Sequence, residues 1–450
     1  MGDVFLKEKL FIPVVEQEKL SHHFKDVLTL RGYEPARHMM EEIFSEFEDN
    51  DGNFLEQLQT TGFDPRIFEL YMFAYFSRSG YEVFRNYDRP DFIVQKNGIN
   101  VAIECTTVNK SSTLNSSTRN FEDLTHVEKL EKLNNELPIR FGSPLFSKLK
   151  KKYWELPHCK GLPLIIAIEA FYEEGSLLFS ATSLTWYLYG LQQFPIRSQD
   201  GKLSVETLQI SEHTVKEKTI PSGFFNQPDT EYISGVLFCN SGTVAKFNRM
   251  GYHNGFHRGN IIIARRGVCY DTDPNASMPK DFSYILGEDP VSETWGEGLT
   301  LCLNPNAKNP LPHDYFIDAC QTYINNGELL SDTPYFHPFF SRTYSTYLER
   351  DDQLTNDVYI EWILKSEFDA LIPPRPIHME LIQQEKEWYL TNDLKFSAVI
   401  ISDRVDESWS YVILQNTGDQ CYEFVDSKVD FPNIEVTREE LYRALIERKL

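Results

Sequence analysis

Two acidic residues stand at the ends of two short apolar runs in the stretch RPDFIVQKNGINVAIECTTVN, residues 89–109. Asp91 opens the first run, Glu104 closes the second, and the turn signal Asn97-Gly98 lies between them. Both acids are equally far from the centre of the turn, so a β-hairpin would make them neighbours at one end of a sheet. Because carboxylates inside apolar strands are costly unless something uses them, we expect a functional site here.

Two converging carboxylates can hold a hard cation such as Mg²⁺ or Mn²⁺ through oxygen ligands, and the carbonyl of Cys105 is close enough in sequence to add a ligand. Glu69, in a preceding helix, is expected to join directly or through water; its alternative is an ion pair with Arg66 or Arg85. Such a site suits phosphodiester hydrolysis, because a metal polarises the phosphoryl oxygen and lowers the pKa of a bound water.

The elements around these acids predict an α/β core. Residues 66–79 form a predicted helix, with Asp64 as its N-cap and Gly80 just past its end. The two runs of the hairpin follow, then a helix over 143–156 and a continuous apolar strand over 162–172. This order requires a crossover connection between strands of one sheet.

These residues resemble the motif of the PD-(D/E)XK nuclease superfamily. Pro90-Asp91 is followed after twelve residues by Glu104-Cys105-Thr106, and a helix bearing Glu69 comes before them. The resemblance covers roughly residues 64–172. It implies a restriction-endonuclease-like fold, in which Asp91 and Glu104 bind the metal and Glu69 assists. It further implies a nuclease, with a role in bacterial genome or phage defence as the associated expectation.

Thr106 stands where that family usually has a lysine, which positions the attacking water and stabilises developing negative charge. Lys148, on the predicted helix 143–156, is the preferred replacement because a packed helix places a side chain better than a loop. Lys110, just past the strand, is the other candidate. The alternatives are a catalytically weakened member of the fold that binds nucleic acid or assembles with partners, and a hydrolase that uses the carboxylates without metal.

The charge distribution indicates one anion-facing side on an acidic chain of net charge −23. Residues 232–270 contain no acid, and a second basic cluster, KLKKKYW, covers 148–154. Within the first span, we expect residues 241–266 to contact the phosphate backbone of nucleic acid, with DNA favoured over RNA. The predicted contacts are Lys246, Arg249, His253, His257, Arg258, Arg265 and Arg266.

The predicted fold class is α/β: a restriction-endonuclease-like mixed sheet flanked by helices, with an added α+β C-terminal domain. The predicted segments are a helical part over 1–63, the nuclease core over 64–178, a mixed extension over 179–339 and an acidic domain over 340–450. The acidic domain is expected to meet a protein partner rather than nucleic acid, and self-association is left open.

The remaining sequence features predict a cytoplasmic protein that has no membrane span. The seven cysteines are dispersed without CxxC spacing, which is typical of reduced thiols. No stretch approaches about 18 consecutive apolar residues, and the N-terminus lacks a secretion signal.

Overall fold

The structure is a computed structural model that describes residues 10–49, 52–109, 131–173, 175–197, 203–257, 261–273, 279–287, 292–347, 387–390, 396–402, 409–418 and 421–431, with single positions at 128, 276, 436, 437, 440, 441, 443 and 444. These residues belong to two compact units. The larger unit holds the described residues up to Tyr347, and the smaller unit holds those from Glu387 onward.

The helices of the larger unit include the one that the sequence predicts over 66–79. It begins at Phe63 and ends at Arg78, and it is buried on nearly all sides, as its apolar composition indicates. Among the described residues, no helix has the length and apolar character needed to cross a membrane. The α-helices are His22–Thr29 (α1), Glu34–Ser45 (α2), Phe54–Gln59 (α3), Phe63–Arg78 (α4), Leu137–Leu149 (α5), Thr182–Tyr189 (α6) and Val244–His253 (α7).

An eight-stranded mixed sheet forms the centre of the larger unit, in the order β1-β2-β3-β4-β9-β12-β13-β14. The structure therefore confirms a mixed sheet flanked by helices. The strands are Glu82–Phe84 (β1), Phe92–Lys96 (β2), Ile99–Val108 (β3), Leu164–Ala170 (β4), Gly235–Cys239 (β9), Thr300–Leu303 (β12), Cys320–Asn325 (β13) and Glu328–Asp332 (β14).

Strands β2 and β3 form the predicted hairpin. Their antiparallel register runs from Lys96 opposite Ile99 to Phe92 opposite Ile103. The turn places Asn97 at φ 53° and Gly98 at φ 76°. A two-residue turn of this kind needs positive φ at both positions, which is why Asn-Gly favours it.

The sheet separates two apolar cores, and the alternation of β3 decides which side chains enter each. Val101 and Ile103 pack into the core that contains α4. Ala102 packs into the other core, beside α5. Successive side chains of a strand point to opposite faces, so Glu104 belongs to the α5 face. β3 pairs in parallel with β4, and α5 lies in the crossover between them.

The other strands of the larger unit form smaller sheets. β10, β11 and β15 make a three-stranded antiparallel sheet, while β5 pairs with β6 and β7 with β8. Their bounds are Leu191–Arg197 (β5), Leu203–Gln209 (β6), Glu212–Val215 (β7), Lys218–Pro221 (β8), Ile261–Cys269 (β10), Lys280–Ile285 (β11) and Pro338–Tyr347 (β15).

The smaller unit contains a four-stranded antiparallel sheet in sequential order. Each strand pairs with the next along the chain, so the sheet is built from local connections. The strands are Glu387–Leu390 (β16), Phe396–Ser402 (β17), Trp409–Gly418 (β18) and Cys421–Phe431 (β19).

The sheet topology changes the predicted segment boundaries. β9 pairs with β4, and β12 to β14 extend the same sheet, so the predicted extension over 179–339 shares the sheet of the predicted core over 64–178. The predicted boundary at 340 falls inside β15, which pairs with β10 of the larger unit. Helices α1 to α3 contribute to the same core as α4, so residues 1–63 are no separate layer where the structure describes them.

Candidate active site

The hairpin register brings Asp91 and Glu104 together. The last pair of the register is Phe92 opposite Ile103, and one step further Asp91 lies beside Glu104 on the same face. The backbone N–H of Cys105 donates to Asp91 Oδ2 over 2.7 Å. This hydrogen bond fixes the carboxylate of Asp91 against the strand that carries Glu104.

Lys148 reaches the same place from α5. Its Nζ donates to Glu104 Oε1 in an ion pair, and the Lys148 side chain is only 18% exposed. The other oxygen, Glu104 Oε2, is buried, and although the Tyr153 hydroxyl lies close to this carboxylate, Oε2 receives no well-formed hydrogen bond from the described residues. A buried carboxylate oxygen without a well-formed hydrogen bond is costly, so a donating hydroxyl or a further ligand would be stabilising at this position.

The electrostatics of Asp91 follow from this crowding. Loss of solvation, and then the negative charges of Glu104 and Glu69, raise the pKa of Asp91 well above its ordinary value. The Cys105 N–H and the charge of Lys148 act in the opposite direction and are outweighed. Two carboxylates this close therefore resist simultaneous ionisation unless additional positive charge is present.

Glu69 lies near the pair but is held by arginines. Arg85 donates to Glu69 Oε1 over 2.7 Å, and Arg66 forms an ion pair with Glu69 Oε2. From the sequence, the alternative role of Glu69 was an ion pair with Arg66 or Arg85. The structure shows that Glu69 pairs with both arginines. Its charge still acts on Asp91, so Glu69 influences the site through space while its oxygens are occupied.

Tyr153 is a member of the site that the sequence did not single out. It follows α5 in a short 3₁₀ turn, Tyr153–Glu155, and is 1% exposed. Burial, then the charge of Glu104 and the approach of the hydroxyl to the Glu104 carboxylate, and then the charge of Asp91, raise the pKa of the Tyr153 hydroxyl. Tyr153 Oη and Glu104 Oε2 are both buried without a well-formed hydrogen bond among the described residues, so the hydroxyl is a ready donor to that carboxylate. The only sequence signal was a bulky aromatic residue directly after the lysines of KLKKKYW.

Three further positions bear on the predicted sites. Thr106 is half-buried and follows Glu104 on the same face of β3, two residues on. Lys110 and Arg258 lie outside the described residues. Lys148 is therefore the lysine that the described part of the chain brings to the carboxylates.

The prediction that Lys246, Arg249 and Arg265 contact nucleic acid is wrong for the structure as folded. All three are buried, at 0%, 2% and 0% exposure. Their charges are neutralised inside the protein by Glu293, which pairs with Lys246 over 2.5 Å and with Arg249 over 2.7 Å, and by Glu297, which pairs with Arg265. A buried cation needs such partners, so these residues support the fold rather than a backbone contact.

The network has a consistent electrostatic signature. Burial acts to raise the pKa of Glu293, but Arg249, Arg265 and Lys246 outweigh it and hold that pKa well below its usual range. Burial lowers the pKa of Lys246 despite the nearby Glu293. Glu293 therefore forms ion pairs with all three basic side chains.

The other described members of the predicted basic span, His253, His257 and Arg266, lie nearer the surface. His253 is exposed at the end of α7. His257 is half-buried and stacks on Tyr252, with ring centroids 4.0 Å apart, and Arg266 is half-buried in β10. Because Lys246, Arg249 and Arg265 are buried, they do not contribute to the protein surface. The predicted basic span therefore does not form the continuous basic surface that its sequence suggested.

Glu169 is a second buried acid, on β4. It is fully buried, and its Oε1 accepts a hydrogen bond from the Gly242 backbone N–H over 2.9 Å. A Cβ at Gly242 would collide with the other oxygen, so glycine permits the close approach. Burial raises the pKa of Glu169 to about 8, although the Gly242 N–H opposes the shift. The negative charge of Asp64 adds to the rise in pKa, so the ionised form of Glu169 is a cost to the fold at high pH.

Replacing Glu169 with glutamine should make stability less dependent on pH. Between the ordinary pKa of 4.5 and the folded value of about 8, the folded state keeps a proton that the unfolded state releases. Stability of the natural chain therefore falls as pH rises through this interval, by roughly 1.4 kcal/mol per pH unit at most. In urea unfolding at pH 5, 6.5 and 8, the free energy of unfolding of the variant is expected to rise relative to that of the natural chain as the pH increases. Glu155→Gln, at an exposed glutamate, is the control, and parallel curves for Glu169→Gln would contradict the assignment.

Comparison of the chain with protein-family models, with curated proteins and with solved structures found no match in any of the three. Among the described residues there is also no group of three or more histidines, cysteines, aspartates or glutamates arranged to hold a metal. What can be argued about function therefore rests on the Asp91, Glu104 and Lys148 side chains and their surroundings.

Proposed function

We propose that the protein is a divalent-metal-dependent nuclease whose active site is built from Asp91, Glu104 and Lys148. The observation that carries the proposal is the convergence of these three side chains from two strands and a helix, with Glu104 Oε2 buried and lacking a well-formed hydrogen bond among the described residues. An aspartate and a glutamate held together beside a lysine match the chemistry of phosphodiester hydrolysis.

The donor set fits Mg²⁺ or Mn²⁺. Mg²⁺ is commonly held by one or two carboxylates, with waters and substrate phosphate completing its coordination, so two acids suffice. Positive charge beside Asp91 and Glu104 would also relieve the repulsion that raises the pKa of Asp91. The carbonyl of Cys105 would be a third ligand, because a strand residue directs its N–H and C=O to the same side and the Cys105 N–H donates to Asp91.

The order of elements supports a restriction-endonuclease-like core. Helix α4 is followed by β1, β2 and β3, then α5, then β4, which pairs in parallel with β3. This is the succession that the sequence resemblance implied. The lysine is supplied by α5 rather than by the strand of Glu104, which accounts for Thr106 at the usual lysine position.

The chain's own residues would divide the work as follows. Asp91 and Glu104 bind the metal, which when present supplies Lewis-acid polarisation of the phosphoryl group and a more acidic water. Lys148 holds positive charge beside the oxygens where negative charge develops. The Cys105 N–H keeps Asp91 oriented, and burial of Glu104 excludes bulk water from its side of the site.

The experiment is a cleavage assay of the full chain on a mixed panel of single- and double-stranded DNA and RNA. We expect products in Mg²⁺ or Mn²⁺ and none in EDTA. Binding without cleavage under every divalent metal would favour the non-catalytic alternative. Full activity in EDTA would favour a hydrolase that uses its carboxylates without metal.

A further inference from the structure

An aromatic pair is tethered to the segment that leads into Asp91. The Tyr87 ring and the His158 imidazole are stacked face to face, with centroids 3.7 Å apart and planes 3° from parallel. Tyr87 is nevertheless 46% exposed. One face of the tyrosine ring is thus covered by His158, while nearly half of the residue's surface remains exposed.

The pair is fixed to the strand entry that carries Asp91. His158 Nε2 donates to the backbone carbonyl of Arg89 over 2.8 Å, since a carbonyl can only accept. Arg89 precedes Asp91 by two residues, and Tyr87 precedes it by four, so the Cα atoms of Tyr87 and Asp91 lie at most about 14 Å apart. His158 also lies five residues after Tyr153, the tyrosine beside Glu104.

The surroundings of the pair are basic, in contrast to the acidic chain as a whole. Segment 148–160 holds five lysines and one acid, Glu155, which pairs with Lys152 over 3.5 Å. Arg89 is exposed, and so is its neighbour Asp88. The exposed lysines of the segment are Lys150, Lys151, Lys152 and Lys160. Unlike the lysine and arginines around Glu293, these cations face solvent and can meet phosphates.

We propose that the Tyr87–His158 pair is a stacking platform for an unpaired nucleobase of the substrate, with the exposed lysines of segment 148–160 contacting the adjoining phosphates. The inference rests on the proposed nuclease function and names its substrate class. In a duplex, neighbouring base pairs cover the faces of each base, so an exposed ring stacks on a base that is unpaired. The substrate is therefore single-stranded DNA or RNA, or a duplex with a single-stranded segment beside the scissile bond.

Exposure alone does not carry this assignment. Tyr335 is 87% exposed, and single exposed aromatic residues are ordinary on protein surfaces. Tyr87 differs because it is already stacked, is anchored through His158 to the Asp91 segment and borders a basic surface. Tyr335 follows β14, at the opposite edge of the eight-stranded sheet from β2, and provides a matched control.

The test measures binding in EDTA, where no cleavage competes, with short DNA and RNA strands carrying 2-aminopurine. We expect the full chain to bind them and to quench the fluorescent base. Tyr87→Ala should weaken binding by about fivefold to a hundredfold and abolish the quench, given the usual contribution of one stacked base. Tyr87→Phe and Tyr335→Ala should bind as the natural chain does, and blunt duplex should bind Tyr87→Ala and the natural chain equally.

The outcomes separate this inference from the proposed function. Unchanged affinity and quenching in Tyr87→Ala, or no binding of single strands by the natural chain, would overturn the platform even if duplex is cleaved. Loss of binding in Tyr87→Ala without cleavage under any divalent metal would support the platform and overturn the nuclease proposal. The DNA and RNA arms show which sugar the site accepts.

Discussion

Glu104→Gln and Asp91→Asn should each lower the rate of phosphodiester cleavage by about a thousandfold or more. Each change removes one of the two negative charges proposed to hold the metal, and metal binding accounts for several kcal/mol of transition-state stabilisation. The variants keep the shape of the side chains, and the amide oxygen that Asp91→Asn introduces can still accept from the Cys105 N–H. Single-turnover cleavage of a labelled oligonucleotide at saturating protein measures the loss.

Folding of these variants has to be measured beside activity. Because burial and then the charges of neighbouring acids disfavour ionised Asp91, Asp91→Asn should leave thermal stability in EDTA unchanged or higher. The matched control is Glu155→Gln, because Glu155 is an exposed glutamate in the short turn that follows α5. This variant should cleave at the natural rate. Natural rates in both Glu104→Gln and Asp91→Asn would refute the site.

Lys148→Ala should lower the cleavage rate by about a hundredfold to a thousandfold, the usual effect of removing one group that stabilises developing negative charge. Lys148 is the lysine that contacts Glu104, whereas Lys150 is exposed two residues later. Lys150→Ala should therefore change the rate by only a few-fold, through weaker binding of phosphate. The comparison uses the same single-turnover assay, with circular dichroism to check folding.

The result also decides between the two lysines that the sequence offered. If Lys148→Ala retains the natural rate while Lys110→Ala loses it, the lysine proposed here is the wrong one. If neither matters, positive charge from a lysine is not part of the mechanism. Lys148→Arg, which keeps the charge in a different shape, should recover part of the rate lost in Lys148→Ala.

The hairpin could be predicted because its determinants are local. Asn97-Gly98 specifies a two-residue turn, and that turn sets Phe92 opposite Ile103. The place of Lys148 was a choice between a helix and a loop, and the structure brings this lysine to Glu104. That choice depended on packing logic rather than on any motif.

Tyr153 could not be predicted, because its approach to Glu104 depends on how the segment after α5 packs against β3. The prediction that the basic span contacts nucleic acid was wrong for a related reason. Lys246 and Arg249 look available in sequence, but their partner Glu293 lies more than forty residues away, at a separation of 47 from Lys246. Counting charges in a window ignores acids that the fold brings from elsewhere.

The extent of the central sheet also could not be predicted from the sequence. β4 reads as a buried strand, but its pairing with β9 is a contact between distant parts of the chain. A change to a mixed, turn-rich pattern suggested a boundary near 178, whereas strand pairing joins both sides of it in one sheet. Local patterns specify elements, and non-local pairing specifies which elements share a core.

Calorimetric titration of the full chain with Mn²⁺ is the decisive measurement of the proposed metal site, because it requires no substrate. We expect saturable binding to the natural chain, and loss of that binding in Asp91→Asn and in Glu104→Gln but not in Glu155→Gln. Equal heats and equal affinity in the natural chain and in both site variants would contradict the assignment of Asp91 and Glu104 as metal ligands.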